Sequence, residues 1–110
     1  MRGDVYRLRV PRGRVGHEQA GARYAVVIQS DLLPLSTLLV APTSTAARPA
    51  SFRPEIRLKR TTTRVLVEQS AALDPSRLGE RSGRLTADEM RRVDAALRLV
   101  LALANGRRPA

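Results

Sequence analysis

One stretch of the chain sustains a helical period, and it comes last. In TADEMRRVDAALRLVLALANG (residues 86–106), Thr86 stands three residues before Glu89, the spacing of a capping box. Asp88 and Glu89 also suit the positive end of a helix. Met90, Val93, Leu97, Val100, Leu101 and Ala104 then recur at helical spacing and read as a core-facing stripe. Asp94 and Arg98 are placed for an i,i+4 ion pair. Asn105-Gly106 is the expected stop, and residues 105–110 read as a basic tail. A chain of 110 residues has room for a single core, so a lone terminal helix must be packed against something else.

That something is a set of short strands. DVYRLRV (4–10) alternates, with Tyr6, Leu8 and Val10 on one face and Val5, Arg7 and Arg9 on the other, the pattern of a half-buried strand. YAVVIQ (24–29) is continuously apolar and predicts a strand buried on both faces; TLLVAP (37–42) predicts another, ended by Pro42. PEIRLKR (54–60) alternates again, with Ile56 and Leu58 inward and Glu55, Arg57 and Lys59 outward. TTTRVLVEQ (61–69) reads as a turn and a strand on Val65 and Val67. In DPSRL, Asp74 can cap a helical turn that Pro75 begins, and GERSGRL (79–85) suits one more strand. Polar loops separate these elements. The first, PRGRVGHEQAG (11–21), is long for a compact domain, and long loops tend to carry function. The expectation is one mainly-β domain over residues 1–104 with a C-terminal helix, a small SH3-like barrel or curled sheet of the α+β kind.

Composition narrows the chemistry. The chain has no cysteine and one histidine, His17, which excludes disulfides, thiol catalysis and a Cys/His metal site, and no cofactor is expected. No apolar run reaches membrane-span length and the N-terminus lacks a signal-peptide layout, so a soluble cytoplasmic protein is expected. The net charge is +10, carried by 19 arginines and one lysine. Such a field attracts phosphate polyanions or an acidic protein, and arginine makes forked contacts with phosphate that lysine cannot. Two tyrosines and one phenylalanine are too few for a broad base-stacking platform. Within GHEQAGARYAVVIQSD, Arg23 stands at the mouth of a buried strand, a costly place for a cation unless an anion meets it. That anion is either a structural carboxylate such as Glu18 or a phosphate.

The chain resembles the MazF/PemK family of toxin ribonucleases. The resemblance is carried by RGDVYRL, GHEQAGARYAVVIQSD, VAPTST, LVEQSAALD and RLGERSGRLTADEMRRVDAALRLVLAL, in order and at matching spacing over residues 2–104. It implies a MazF-, CcdB- and Kid-like barrel that forms a homodimer and cleaves single-stranded RNA without metal. The ribose 2′-hydroxyl is the nucleophile and a 5′-hydroxyl is left. It also implies a cognate acidic, MazE-like antitoxin that covers the RNA groove.

The same resemblance assigns roles. Arg23 matches the family's catalytic arginine, whose guanidinium stabilises charge developing on phosphorus. Ser44 falls in the slot of the active threonine, with Thr45 adjacent, and either hydroxyl can donate to a phosphate oxygen. Glu18 sits in the matching Glu-Gln pair and can accept a proton or orient Arg23, with Gln19 beside it. His17 offers a base of suitable intrinsic pKa, although family members commonly carry serine there. Gln69 matches a Glu-Gln whose amide reads a base edge, or else closes a strand-to-loop hydrogen bond. Arg12, Arg14 and Arg48, with Arg7, Arg9 and Arg53, would build the phosphate-attracting surface. Tyr24 departs from the family, which has proline after the arginine. Two other readings share the fold without the chemistry: a non-cleaving barrel that binds RNA or protein, and a CcdB-like gyrase poison. The latter has a terminal Trp-Gly-Ile motif, whereas this chain has no tryptophan and ends NGRRPA.

Overall fold

A computed structural model describes residues 1–9 and 23–104. Seven strands and one helix follow in order: β1 (Asp4–Leu8), β2 (Tyr24–Val27), β3 (Leu38–Ser44), β4 (Glu55–Leu58), β5 (Thr61–Val65), β6 (Ala71–Leu73), β7 (Leu78–Arg84) and α1 (Ala87–Leu101). They form one antiparallel sheet in the order β4-β5-β3-β2-β1-β7, with β6 added to β3. No ladder joins β4 to β7 among the described residues, so the sheet is a curled half-barrel rather than a closed one.

Curling lets strands bury both faces. Val26, Ala41, Ile56 and Val65 pack with Val93 and Ala96 of α1 inside the curl. Ala25, Val27 and Val40 form a second cluster with Tyr6, Leu8, Leu38 and Leu73. The continuous apolar run of β2 is therefore buried on both sides as expected. The half-buried reading of β1 is corrected: Val5, on its supposedly open face, is fully buried in the cluster that includes α1.

β3 also departs from expectation, running through Pro42 to Ser44. Residues 38–40 pair with β6 and residues 43–44 with β5, so Pro42 stands in the gap where one edge of the strand changes partners. A missing N–H costs nothing there, and the Pro42 carbonyl still accepts the Leu66 N–H at 2.8 Å. Val67–Gln69 forms a 3-10 turn rather than prolonging β5, and the short β6 follows it. Asp74 caps the Pro75–Arg77 turn by accepting the Ser76 N–H at 2.9 Å, as its position suggested.

The helix start is as expected. Thr86 Oγ1 accepts the Glu89 N–H at 3.0 Å and Glu89 Oε1 accepts the Thr86 N–H at 2.9 Å. The other carboxylate oxygen of buried Glu89 accepts the Arg57 N–H at 2.9 Å, so one side chain caps α1 and fastens it to β4. The helix end differs. α1 stops at Leu101, with Ala102 in the left-handed conformation, before Asn105-Gly106, which lies outside the described residues. Ala96 replaces Val100 and Leu101 in the core; those two are 38% and 58% exposed. Asp94 pairs with Arg2 at 2.7 Å rather than with Arg98.

The β4–β5 turn is unusual. Lys59 and Arg60 both have positive φ, 51° and 67°. A two-residue hairpin needs this geometry and normally meets it with Asn-Gly; other residues cost about 1–2 kcal/mol each.

Candidate active site

The register of the sheet assembles the site from residues far apart in sequence. Ala25 pairs with Pro42 and Val26 with Ala41, so the same register continued two residues places Arg23 opposite Ser44. Thr43 Oγ1 donates to the Tyr24 carbonyl at 3.4 Å, consistent with that continuation. On the other edge of β3, Ser44 pairs with Arg64, and the next step brings Thr45 opposite Thr63. The end of β3 is thus flanked by β2 on one side and β5 on the other.

A cavity of about 690 Å³ opens over this junction, within the size range of ligand sites. Arg23, Ser44, Thr45 and Gln69, four of the expected site residues, line it together with Tyr24 and Thr43. Arg23 is exposed while its carbonyl accepts the Leu8 N–H at 2.8 Å, so the backbone is tied into the sheet and the guanidinium is left at the surface. Gln69 comes from the 3-10 turn, not from the long strand expected. Its N–H bonds the Leu66 carbonyl at 2.9 Å, which fixes the turn beneath the side chain.

The three neighbouring hydroxyls are not equivalent. Thr43 already donates to Tyr24. Ser44 Oγ accepts the Ala46 N–H at 3.2 Å, a local turn bond that orients the hydroxyl and uses a lone pair rather than its proton. Thr45 is exposed at the rim. Ser44 is therefore the hydroxyl that is oriented by a bond and still has its proton to donate.

Other expected residues fall elsewhere. Arg48 is exposed and is not among the cavity-lining residues; its carbonyl accepts from Arg53 at 3.3 Å. Arg53 is half-buried rather than free for phosphate, because it pairs with Glu68 at 2.8 Å and lies 5.4 Å from the Phe52 ring centre. Arg12, Arg14, His17, Glu18 and Gln19 lie outside the described residues, as does the tail 105–110. Among the described residues, no group of three or more His, Cys, Asp or Glu could hold a metal ion, and no helix is long and apolar enough to cross a membrane.

Sequence reasoning missed one wall. Leu58, Lys59, Thr61 and Thr63, all from the β4–β5 hairpin, also line the cavity. Lys59 is exposed, as its outward position in PEIRLKR implies, and it also lines the cavity. Its being the chain's one lysine, beside a run of three threonines, was the available signal.

Comparison with known proteins bears on the family and the fold. A family model described as PemK-like, MazF-like toxin of type II toxin-antitoxin system matches residues 1–101. A candidate toxin of Mycobacterium tuberculosis strain H37Rv is 42% identical over 104 residues, covering 94% of this chain and 98% of that protein. Among solved structures, a mycobacterial endoribonuclease in complex with its cognate antitoxin superposes with a TM-score of 0.76 at 20% identity, covering 94% of this chain and 96% of that one. MazF from Deinococcus radiodurans gives 0.71 at 24% identity, over 92% and 94% of the two chains. These two likenesses establish the fold.

Proposed function

The chain belongs to the PemK-like, MazF-like toxins of type II toxin–antitoxin systems, and we propose that it is a metal-independent endoribonuclease selective for a short single-stranded RNA sequence. The observation that carries this reading is the convergence of Arg23, Ser44 and Gln69 on one cavity from three separated segments. The 2′-oxygen attacks the adjacent phosphorus, the bond to the 5′-oxygen breaks, and that oxygen leaves as a hydroxyl after taking a proton. The remaining end is a 2′,3′-cyclic phosphate. Arg23 stabilises the extra negative charge on the non-bridging oxygens, which is greatest in the transition state. Ser44 donates a further hydrogen bond to the same phosphate, with Thr45 as its neighbour at the rim.

Arginine is a poor base, with a pKa above about 12, so the 2′-proton goes to another group, for which Glu18 and His17 are the candidates. Gln69 presents an amide to a base edge, and the net charge of +10 draws the polyanion in. Arg12, Arg14 and Arg48 extend that field along the strand. A homodimer, an acidic antitoxin and a cytoplasmic location complete the proposal. Support for a covered surface comes from exposed leucines at 32, 33, 35 and 39, and at 99, 101 and 103 near the end of α1.

The test is to incubate the protein with a long unstructured RNA in EDTA and map the new 5′ ends. Discrete cuts with 5′-hydroxyls are expected. Intact RNA, or cleavage that requires added magnesium, would overturn the mechanism.

A further inference from the structure

The β4–β5 hairpin is a wall of the cavity with features that the fold does not require. Its turn holds Lys59 and Arg60 in the left-handed region, where Asn-Gly would make the same turn without strain. Lys59 is the only lysine in the chain and lines the cavity. Two residues into β5, Thr63 is 4% exposed, and its Oγ1 is buried with no hydrogen-bond partner among the described residues.

Thr63 pairs with buried Ile56 and shares its face of the sheet with Thr61, Val65 and Leu58, a position a valine would fill at no polar cost. A hydroxyl kept there unsatisfied calls for a partner that the protein itself does not supply. Thr63 also lines the cavity, and the register sets it opposite Thr45, one strand away from the expected phosphate site.

We propose that this hairpin is a nucleotide subsite on the β5 side of the reacting phosphate. Lys59 neutralises the neighbouring backbone phosphate, and the hydroxyls of Thr63 and Thr61 hydrogen-bond the base between the two. A step from one staggered χ1 well to the next carries Thr63 Oγ1 to the position its methyl held, which lets the hydroxyl meet the bound base and sit inward otherwise. The hairpin then sets part of the sequence preference, while Arg23 and Ser44 carry the chemistry. This inference rests on the ribonuclease reading and names where one base is recognised.

The test compares wild type, Thr63→Val, Lys59→Ala and Arg23→Ala on a random-sequence RNA pool, with end mapping. Affinity is measured on a strand that carries 2′-deoxynucleotides at the mapped cut positions. Thr63→Val is expected to keep cutting, lose selectivity at one position beside the cut, and cleave the preferred sequence about 3- to 10-fold more slowly. Its thermal midpoint should not fall, because the lost hydroxyl made no internal bond. Lys59→Ala should bind the non-cleavable strand more weakly and lower the slope of log affinity against log salt by about 0.7. If both variants match wild type in cut consensus, affinity and salt slope while Arg23→Ala is inactive, the subsite is overturned and the ribonuclease reading stands. If wild type neither cuts nor binds RNA, that reading fails and the subsite with it.

Discussion

The buried carboxylates at the starts of β1 and α1 and the buried polar groups beside the cavity differ in how fully they are bonded. Where β1, β7 and α1 meet, each buried carboxylate is fully engaged. Asp4 receives the chain's amino group at 3.1 Å, Arg84 at 2.7 Å and Arg81 at 3.2 Å, and both oxygens of Glu89 accept backbone N–H groups. Where β3, β5 and the 3-10 turn meet, satisfaction is incomplete. Of the three buried side-chain atoms without partners among the described residues, Thr63 Oγ1 and Glu68 Oε1 belong here, and the strained Lys59-Arg60 turn borders the cavity. The third, Arg77 Nε, lies away from the cavity at the far end of the β1–β7 ladder, where the Arg77 carbonyl accepts the Arg9 N–H at 2.8 Å. The carboxylates at the starts of β1 and α1 hold the fold, and under the proposed function the Thr63 hydroxyl beside the cavity meets bound RNA.

Substitutions that break this division should do so in different currencies. The largest effect is expected from Arg23→Ala, which lowers single-turnover RNA cleavage by about 100- to 1,000-fold, on the scale of losing one preorganised transition-state donor. Thermal unfolding should be unchanged, because the side chain is exposed. A large fall in melting temperature would show that Arg23 serves the fold instead.

Glu89→Ala attacks the opposite end. It removes the capping box and the tie to Arg57 and should cost about 1–3 kcal/mol in denaturant unfolding, with cleavage per folded molecule retained. Loss of activity in the folded fraction would mean that the two ends are coupled through β4.

Ser44→Ala should slow cleavage about 10-fold, the size of one neutral hydrogen bond, and Thr45→Ala should slow it less. The reverse order would move the functional hydroxyl to Thr45.

The mildest probe is acid. Burial raises the Asp4 carboxyl, but bonds from the amino group and Arg84 and the charge of Arg81 outweigh it, so its pKa lies below the ordinary 3.8. A folded-state pKa below the unfolded one means the stabilisation is complete above about pH 4 and is lost as pH falls through the lower value. Asp4→Asn should flatten that part of a stability-against-pH curve, and an unchanged curve would remove Asp4 from the account.

Much of the fold could be read from local chemistry. The Thr86–Glu89 box defined the helix start, and the uninterrupted apolar run of β2 announced burial on both faces. What failed was non-local. Periodicity makes Val100 and Leu101 part of a stripe, but it cannot say that the last turn of α1 is left exposed. Pro42 looked like a terminator because nothing in the sequence shows β3 changing partners there. Ala71-Ala72-Leu73 lacks the β-branched residues that mark a strand and is held by the ladder to β3. The site was legible only through the family resemblance, since Arg23, Ser44 and Gln69 are joined by register and not by spacing. Lys59 and Thr63 escaped because a hairpin charge and a threonine in a strand are individually ordinary.

The most direct test of the division is amide hydrogen exchange with and without a single-stranded RNA that carries 2′-deoxynucleotides at its cut sites. Slower exchange is predicted at Ser44–Ala46, at Lys59–Thr63 and at Gln69, with no change at Asp4, at Arg81–Arg84 or in the first turn of α1. Protection confined to the β1–β7–α1 end, or spread evenly over both ends, would contradict the account.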